Sequence, residues 1–192
     1  LIAAKPDLRG IDQAFNFFAI PGPATCFAGV TAVQPGQYLR IDLGGNSPRA
    51  SVERKYYWRI DFPDQGKEET GDPKKLVDEF ERVMLSAVER RLRADVPVAS
   101  YLSGGLDSSI LASLVKRHHN NELITFSVGF EDAAFDERQF QRTMVAALGT
   151  DHREIAVGAK DIGRAFFESV WWAERPLTRS APAPLLDLAG LV

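Results

Sequence analysis

From Asp95 onward the sequence alternates between short apolar runs and amphipathic stretches, and this alternation limits the fold more than any other feature. Val96 to Leu102 is a mostly apolar strand, Ser103-Gly104-Gly105 follows as a turn, and Ile110, Leu111, Leu114 and Val115 then recur at helical spacing. Leu123 to Val128 reads as a second strand. Phe140, Met144, Val145 and Leu148 mark a helix closed by Gly149, His152 to Val157 a third strand, and Ile162, Phe166 and Val170 a further helix. Strands separated by helices cannot pair as hairpins, so the expected class is α/β, a parallel sheet with helices on both faces. In such sheets ligands collect outside the carboxyl ends of the strands.

Upstream the pattern differs. A short helix is expected around Asp12 to Phe18, capped by Asp12 with Phe15 and Phe18 on one face. Gln37 to Asp42 alternates polar and apolar like a half-buried strand, Gly44-Gly45-Asn46 is a turn, and Val52 to Trp58 reads as the returning strand. This is part of an antiparallel sheet. The polar stretch PDQGKEETGDP at residues 63–73 has the composition of a solvated linker, so two domains are expected, 1–65 and 66–192. Asp72-Pro73 then starts a helix, cap followed by proline at the first helical position, running to about Arg93.

A chain of 192 residues, 45% hydrophobic and 26% charged, can bury a sizeable core. Its net charge of −3 and scattered basic residues argue against nucleic acid as a partner. No apolar run approaches the roughly 20 residues that span a bilayer. Leu1-Ile2-Ala3-Ala4 is unlike a signal peptide, and the expected setting is cytoplasmic. The single Cys26 excludes an internal disulfide framework.

The turn itself, in YLSGGLDSS at 101–109, lies between a strand and a helix, where glycines allow close approach of a ligand and helix N–H groups attract an anion. Ser103, Ser108 and Ser109 offer hydroxyls to phosphate oxygens. Asp107 would repel phosphate unless a cation such as Mg²⁺ lies between them. The loop departs from the P-loop pattern in spacing and lacks its lysine.

What the loop resembles is the SGGxDS pyrophosphate loop of the ATP pyrophosphatases, which cleave ATP between the α- and β-phosphates. Over nearly its whole length the chain further resembles the glutamine-hydrolysing asparagine synthetases, through DVPVASYLSGGLDSS (95–109), TFSVGFEDAAFDE (125–137), ALGTDHREI (147–155) and ERPLTRSAPAPLLDLAGLV (174–192). FAGVTAVQPGQYLRIDL, from Phe27, resembles the end of that family's N-terminal, Ntn-type glutaminase domain. The resemblance implies an adenine nucleotide alpha-hydrolase-like fold, ATP and Mg²⁺ as cofactors, and adenylation of the aspartate β-carboxylate followed by attack of glutamine-derived ammonia. It implies that Ser103, Gly104, Gly105, Leu106, Asp107, Ser108 and Ser109 hold pyrophosphate, Asp107 through Mg²⁺, and that Leu102 and Val128 contact adenine and ribose. A homodimer is the expected state of the full-length protein.

Other residues leave two readings open. Asp136 and Glu137 suit Mg²⁺ or substrate, or a solvated helix start. Arg179 suits a substrate carboxylate, or a surface ion pair. His118-His119 read as an exposed helix end, His152 has no metal role, Trp171-Trp172 read as packing residues, and Cys26 as a buried thiol outside the family's nucleophile position. With neither the N-terminal cysteine nor the second, SGEGSDE-like signature, the chain is expected to be an internal fragment, with weak ATP binding and no turnover. A relative that adenylates another carboxylate, as β-lactam synthetases do, and a silent nucleotide-binding module are the alternatives.

Overall fold

A computed structural model describes residues 4–44, 51–119 and 122–192. Of the expected turn after the first strand, Gly45 and Asn46 lie outside the described residues, as does the side chain of His119. The chain divides into two compact units, residues 1–69 with 170–179, and residues 70–169 with 180–192.

The first unit begins with α1, Leu8–Phe17. Its cap is Asp7, whose carboxylate accepts the N–H groups of Arg9 at 3.0 Å and Gly10 at 3.3 Å. The cap is thus Asp7 and not the expected Asp12. Gly10 is the point where the helix touches the backbone at Thr25, whose carbonyl a Cβ there would meet. β1, Gln37–Asp42, pairs antiparallel with β2, Ser51–Tyr56, from Gln37 opposite Tyr56 to Asp42 opposite Ser51. The expected hairpin is therefore present, its second strand ending two residues early.

The second unit opens with α2, Pro73–Arg91, whose cap Asp72 accepts the Lys74 N–H at 3.1 Å. Next come β3, Ser100–Tyr101; α3, Leu106–His119; β4, Ile124–Phe130; α4, Arg138–Leu148; β5, Asp151–Val157; α5, Ala159–Ala173, whose last residues group with the first unit; and α6, Pro182–Ala189. The sheet is parallel in the order β3-β4-β5, and helices flank it on both faces. Thr125 and Ser127 turn to the α4 side, where Ser127 bonds Gln141, and the alternate residues Phe126 and Val128 line a cleft with α6. Val88, Leu102, Ala112, Leu114, Val115 and Leu123 form the buried core, with Met84, Leu85, Met144, Val145 and Leu148 packed around it.

Three expectations need correction here. β3 holds only two residues of the expected Val96 to Leu102, because Pro97 has no N–H to give a ladder and restricts Val96 before it. α6 was not among the expected elements. Yet Pro182 occupies the first helical position and Pro184 the first turn, where N–H groups need no helical acceptor. Trp171 and Trp172 are 75% and 67% exposed rather than buried. The buried residues of α5 are Ala165 and Ser169 instead.

Candidate functional site

The loop after β3 is shaped by its own hydroxyls. Leu102 N–H still bonds Phe126 O at 2.9 Å, as though the strand continued, and then the chain leaves the sheet. Ser108 Oγ accepts the Ser103 N–H at 3.2 Å and donates to Gly105 O at 3.2 Å, while the Ser103 and Ser108 hydroxyls lie 2.9 Å apart. Ser103 Oγ also accepts the Gly105 N–H at 3.3 Å. Two of the serines expected to face phosphate thus brace the turn. The hydroxyl of Ser109 is buried without a partner.

Gly104 has φ +82° and is pressed against the start of α4. A Cβ there would lie 2.7 Å from Gln141 N and 2.8 Å from Phe140 Cβ, so only glycine fits. Beyond it α3 begins at Leu106, and its first N–H groups have no acceptor within the helix. Asp107 stands exposed in that first turn, and Leu106 is exposed beside it. The result is a cradle of backbone donors with one carboxylate at its rim, suited to an anion carrying a cation.

Next to the cradle a cleft of about 290 Å³ opens between the ends of β3 and β4 and the α6 region. Tyr101, Leu102, Phe126, Val128 and Phe130 line it from the strands, and Ala181, Pro184, Leu185 and Leu188 from the other side. Its polar members are Ser103, Ser127, Glu137 and Gln141. An apolar slot with few polar groups suits a flat heteroaromatic ring. The structure therefore brings together Leu102, Ser103, Val128 and Glu137, of the residues singled out from sequence.

The others have different surroundings. Asp136 is held by Arg138, whose Nε lies 2.8 Å from Oδ1, and this hydrogen bond keeps the carboxyl below its usual range. Arg138 also reaches Phe130 O at 3.3 Å. Glu137 is exposed at the start of α4 and makes no capping bond. Arg179 belongs to the first unit, where its guanidinium lies 5.2 Å from the centre of the Phe18 ring. Cys26 is buried, and its thiol donates to Glu174 O at 3.2 Å. His118 is exposed at the end of α3.

Sequence reasoning missed Gln141. It assigned the buried stripe of α4 to Phe140, Met144, Val145 and Leu148, but Phe140 is 61% exposed and Gln141 2%. Positions 141, 144, 145 and 148 share one face just as well as the apolar set does, so the period was right and its first member wrong.

Among the described residues no cluster of three or more His, Cys, Asp or Glu could by itself hold a metal ion. Mg²⁺ needs none, since it binds commonly through one or two carboxylates plus phosphate oxygens, and Asp107 at the cradle fits that use. No helix among the described residues is long and apolar enough to cross a membrane.

Comparison with known proteins gives a consistent result. A profile of the asparagine synthase family matches residues 79–192, well over half of the chain. The glutamine-hydrolysing asparagine synthetase 1 of Bacillus subtilis is 33% identical over 183 residues, 95% of this chain and 27% of that protein. The amidase chyE of Penicillium rubens is 34% identical over 80% of this chain and 24% of its own length. A putative glutamine-hydrolysing asparagine synthetase 2 of Methanocaldococcus jannaschii is 30% identical over 86% of this chain and 31% of its own. The chain thus spans less than a third of the length of these relatives.

Proposed function

Because the chain belongs to the asparagine synthase family, as the match over residues 79–192 establishes, we propose that it carries the nucleotide-binding part of an ATP-dependent amide-forming synthetase. Residues 66–192 are the synthetase portion and residues 1–65 the end of a glutaminase domain. The observation that supports this reading most is the adjacency of the phosphate-type cradle at α3 and the apolar cleft at the ends of β3 and β4.

In this reading the adenine enters the cleft against Leu102 and Val128, and the β- and γ-phosphates meet the amides of residues 103–109. Asp107 is the residue that would hold Mg²⁺ there, and the ion would supply charge neutralisation for the departing pyrophosphate. A carboxylate oxygen of the second substrate, aspartate in the first instance, attacks the α-phosphorus, and the bond to the β-phosphate oxygen breaks. The acyl carbon then bears AMP, a far better leaving group than an oxide. Ammonia derived from glutamine attacks that carbon, AMP departs, and a proton is lost from nitrogen. Glu137, at the rim of the cleft, is the residue assigned to substrate. Cys26, buried and with an ordinary peptide nitrogen, takes no part in releasing ammonia.

A second reading concerns the acid. Two relatives named as amidases, chyE and chry2, are 34% and 30% identical over 80% of this chain, which favours keeping a carboxylate other than aspartate open. The test is exchange of labelled pyrophosphate into ATP, catalysed by the protein expressed from its complete gene and offered a panel of carboxylates. Aspartate-dependent exchange supports the first reading and exchange with another acid the second. No exchange with any acid, under conditions where ATP binds, would leave a silent nucleotide-binding module.

A further inference from the structure

The end of β4 holds a polar chain that the reaction as proposed does not use. On the edge of β4 facing β3, Phe126 O accepts the Leu102 N–H at 2.9 Å. The next carbonyl on the same edge, two residues on, is that of Val128, and no strand residue stands opposite it because the chain has turned into the Ser103 loop. Gln141 Nε2 donates to this carbonyl at 2.9 Å. A side-chain amide from α4 supplies the rung that the shortened β3 does not.

The direction of that amide is dictated by its neighbours. A carbonyl can only accept, so the NH₂ end faces Val128 and Oε1 faces Ser127, 3.0 Å away. Ser127 must therefore donate its one proton to Gln141, and its oxygen is left to accept from His152 Nε2–H at 3.0 Å. Neutral His152 then presents a lone pair at Nδ1, which Thr125 Oγ1 fills at 2.9 Å by donating. Thr125 in turn accepts from the Thr150 hydroxyl at 2.9 Å. Each link leaves one choice for the next. Thr125, Ser127 and Gln141 are 0%, 2% and 2% exposed, so water does not compete for these bonds.

Gln141 also lines the cleft, and its backbone nitrogen packs on Gly104. We propose that Gln141 is a positioning residue of the nucleotide cleft. Its amide holds the Val128 strand end at a set distance from the phosphate cradle, and the Ser127–His152–Thr125–Thr150 chain keeps that amide facing one way. The inference rests on the nucleotide-binding reading above and adds a residue to it.

The test compares the parent with Gln141→Met, which keeps length and removes the hydrogen bonds, in the protein expressed from its complete gene. ATP affinity is measured by calorimetry, and KM for ATP and kcat by pyrophosphate exchange, well below the unfolding midpoint of each variant. The loss of one net hydrogen bond predicts a Kd and KM for ATP raised about 2- to 13-fold, with a smaller change in kcat. A lowered midpoint with unchanged Kd and KM would overturn the inference and leave Gln141 a structural residue only. Should Gln141→Met not fold, Ser127→Ala removes the constraint on the amide, together with the acceptor of His152 Nε2–H, while keeping the Gln141 bond to Val128 O; it is expected to raise KM about 3-fold, an unchanged KM again overturning the inference. Long-range proton–nitrogen NMR on the parent should find the Nε2–H tautomer of His152, and the Nδ1–H tautomer would contradict the chain. A parent that binds no ATP defeats the underlying reading as well, whereas a binding parent with unaffected variants defeats this inference alone.

Discussion

Replacing Gly104 by alanine tests whether the loop depends on its contact with α4. The torsion of +82° is one that L-residues enter at a cost of roughly 1–2 kcal/mol. The added methyl would also sit 2.7 Å from Gln141 N, 2.8 Å from Phe140 Cβ and 2.9 Å from Phe140 C. Two of these are backbone atoms of a helix and cannot turn aside. Forcing a carbon into such a site costs typically about 1–3 kcal/mol, so the sum is about 2–5 kcal/mol. For a chain of this size that corresponds to a fall in Tm of roughly 4–20 °C. The neighbouring Gly105→Ala is the control. Gly105 has no positive φ, and the nearest atom to its added methyl would be Ser103 Oγ at 3.3 Å, on a side chain able to give way. That variant should stay within about 1 kcal/mol of the parent. Equilibrium urea unfolding of the three proteins measures the difference, with ATP affinity as a second reading. Coincident curves for the two alanine variants, or a larger loss at Gly105, would refute the packing argument.

Three further outcomes follow from particular residues. Asp107→Asn should leave the unfolding midpoint near the parent's and abolish most of the Mg²⁺-dependent gain in nucleotide affinity, at least about 10-fold; an unchanged Mg²⁺ dependence would contradict metal bridging. Burial depresses the pKa of His152 below the ordinary 6.5, with Glu154 opposing the shift and Arg142 adding to it. The unfolded chain then binds the proton more readily, so the stability due to His152 is complete above about pH 6.5 and is lost as pH falls through the window below. Urea midpoints from pH 8 to pH 5 should fall more steeply for the parent than for His152→Asn, and parallel profiles would contradict this. Cys26, 8% exposed, should react with a thiol reagent far more slowly in native protein than in urea, and equal rates would show that it is not buried.

Much of this architecture was legible because its signals are local. Asp72-Pro73 marked the start of α2, and Gly149, at φ 61° with its N–H on Val145 O, marked the end of α4. The period-2 run at Gln37 to Asp42 and the apolar runs of β4 and β5 coincide with strands. The errors share a cause, since each depended on what lay across from a residue in space. The start of α1 involves the close approach of Gly10 to the Thr25 backbone, which no local signal announces. The length of β3 depended on the ladder bonds that Pro97 cannot make. Phe140 was placed on the buried stripe where Gln141 belongs, and the Val128 carbonyl that Gln141 bonds explains why the amide is the buried one. The turn between β3 and α3 was readable from SGGLDSS, but not that Ser103 and Ser108 spend their hydroxyls on each other.

The central claim is that this loop holds a departing pyrophosphate. Phosphorus NMR of a reaction containing ATP, Mg²⁺, ammonia and the acid found by exchange, with the protein expressed from its complete gene, tests it most directly. AMP and pyrophosphate should appear in equal amounts with the amide. ADP and inorganic phosphate as the nucleotide products would contradict the account.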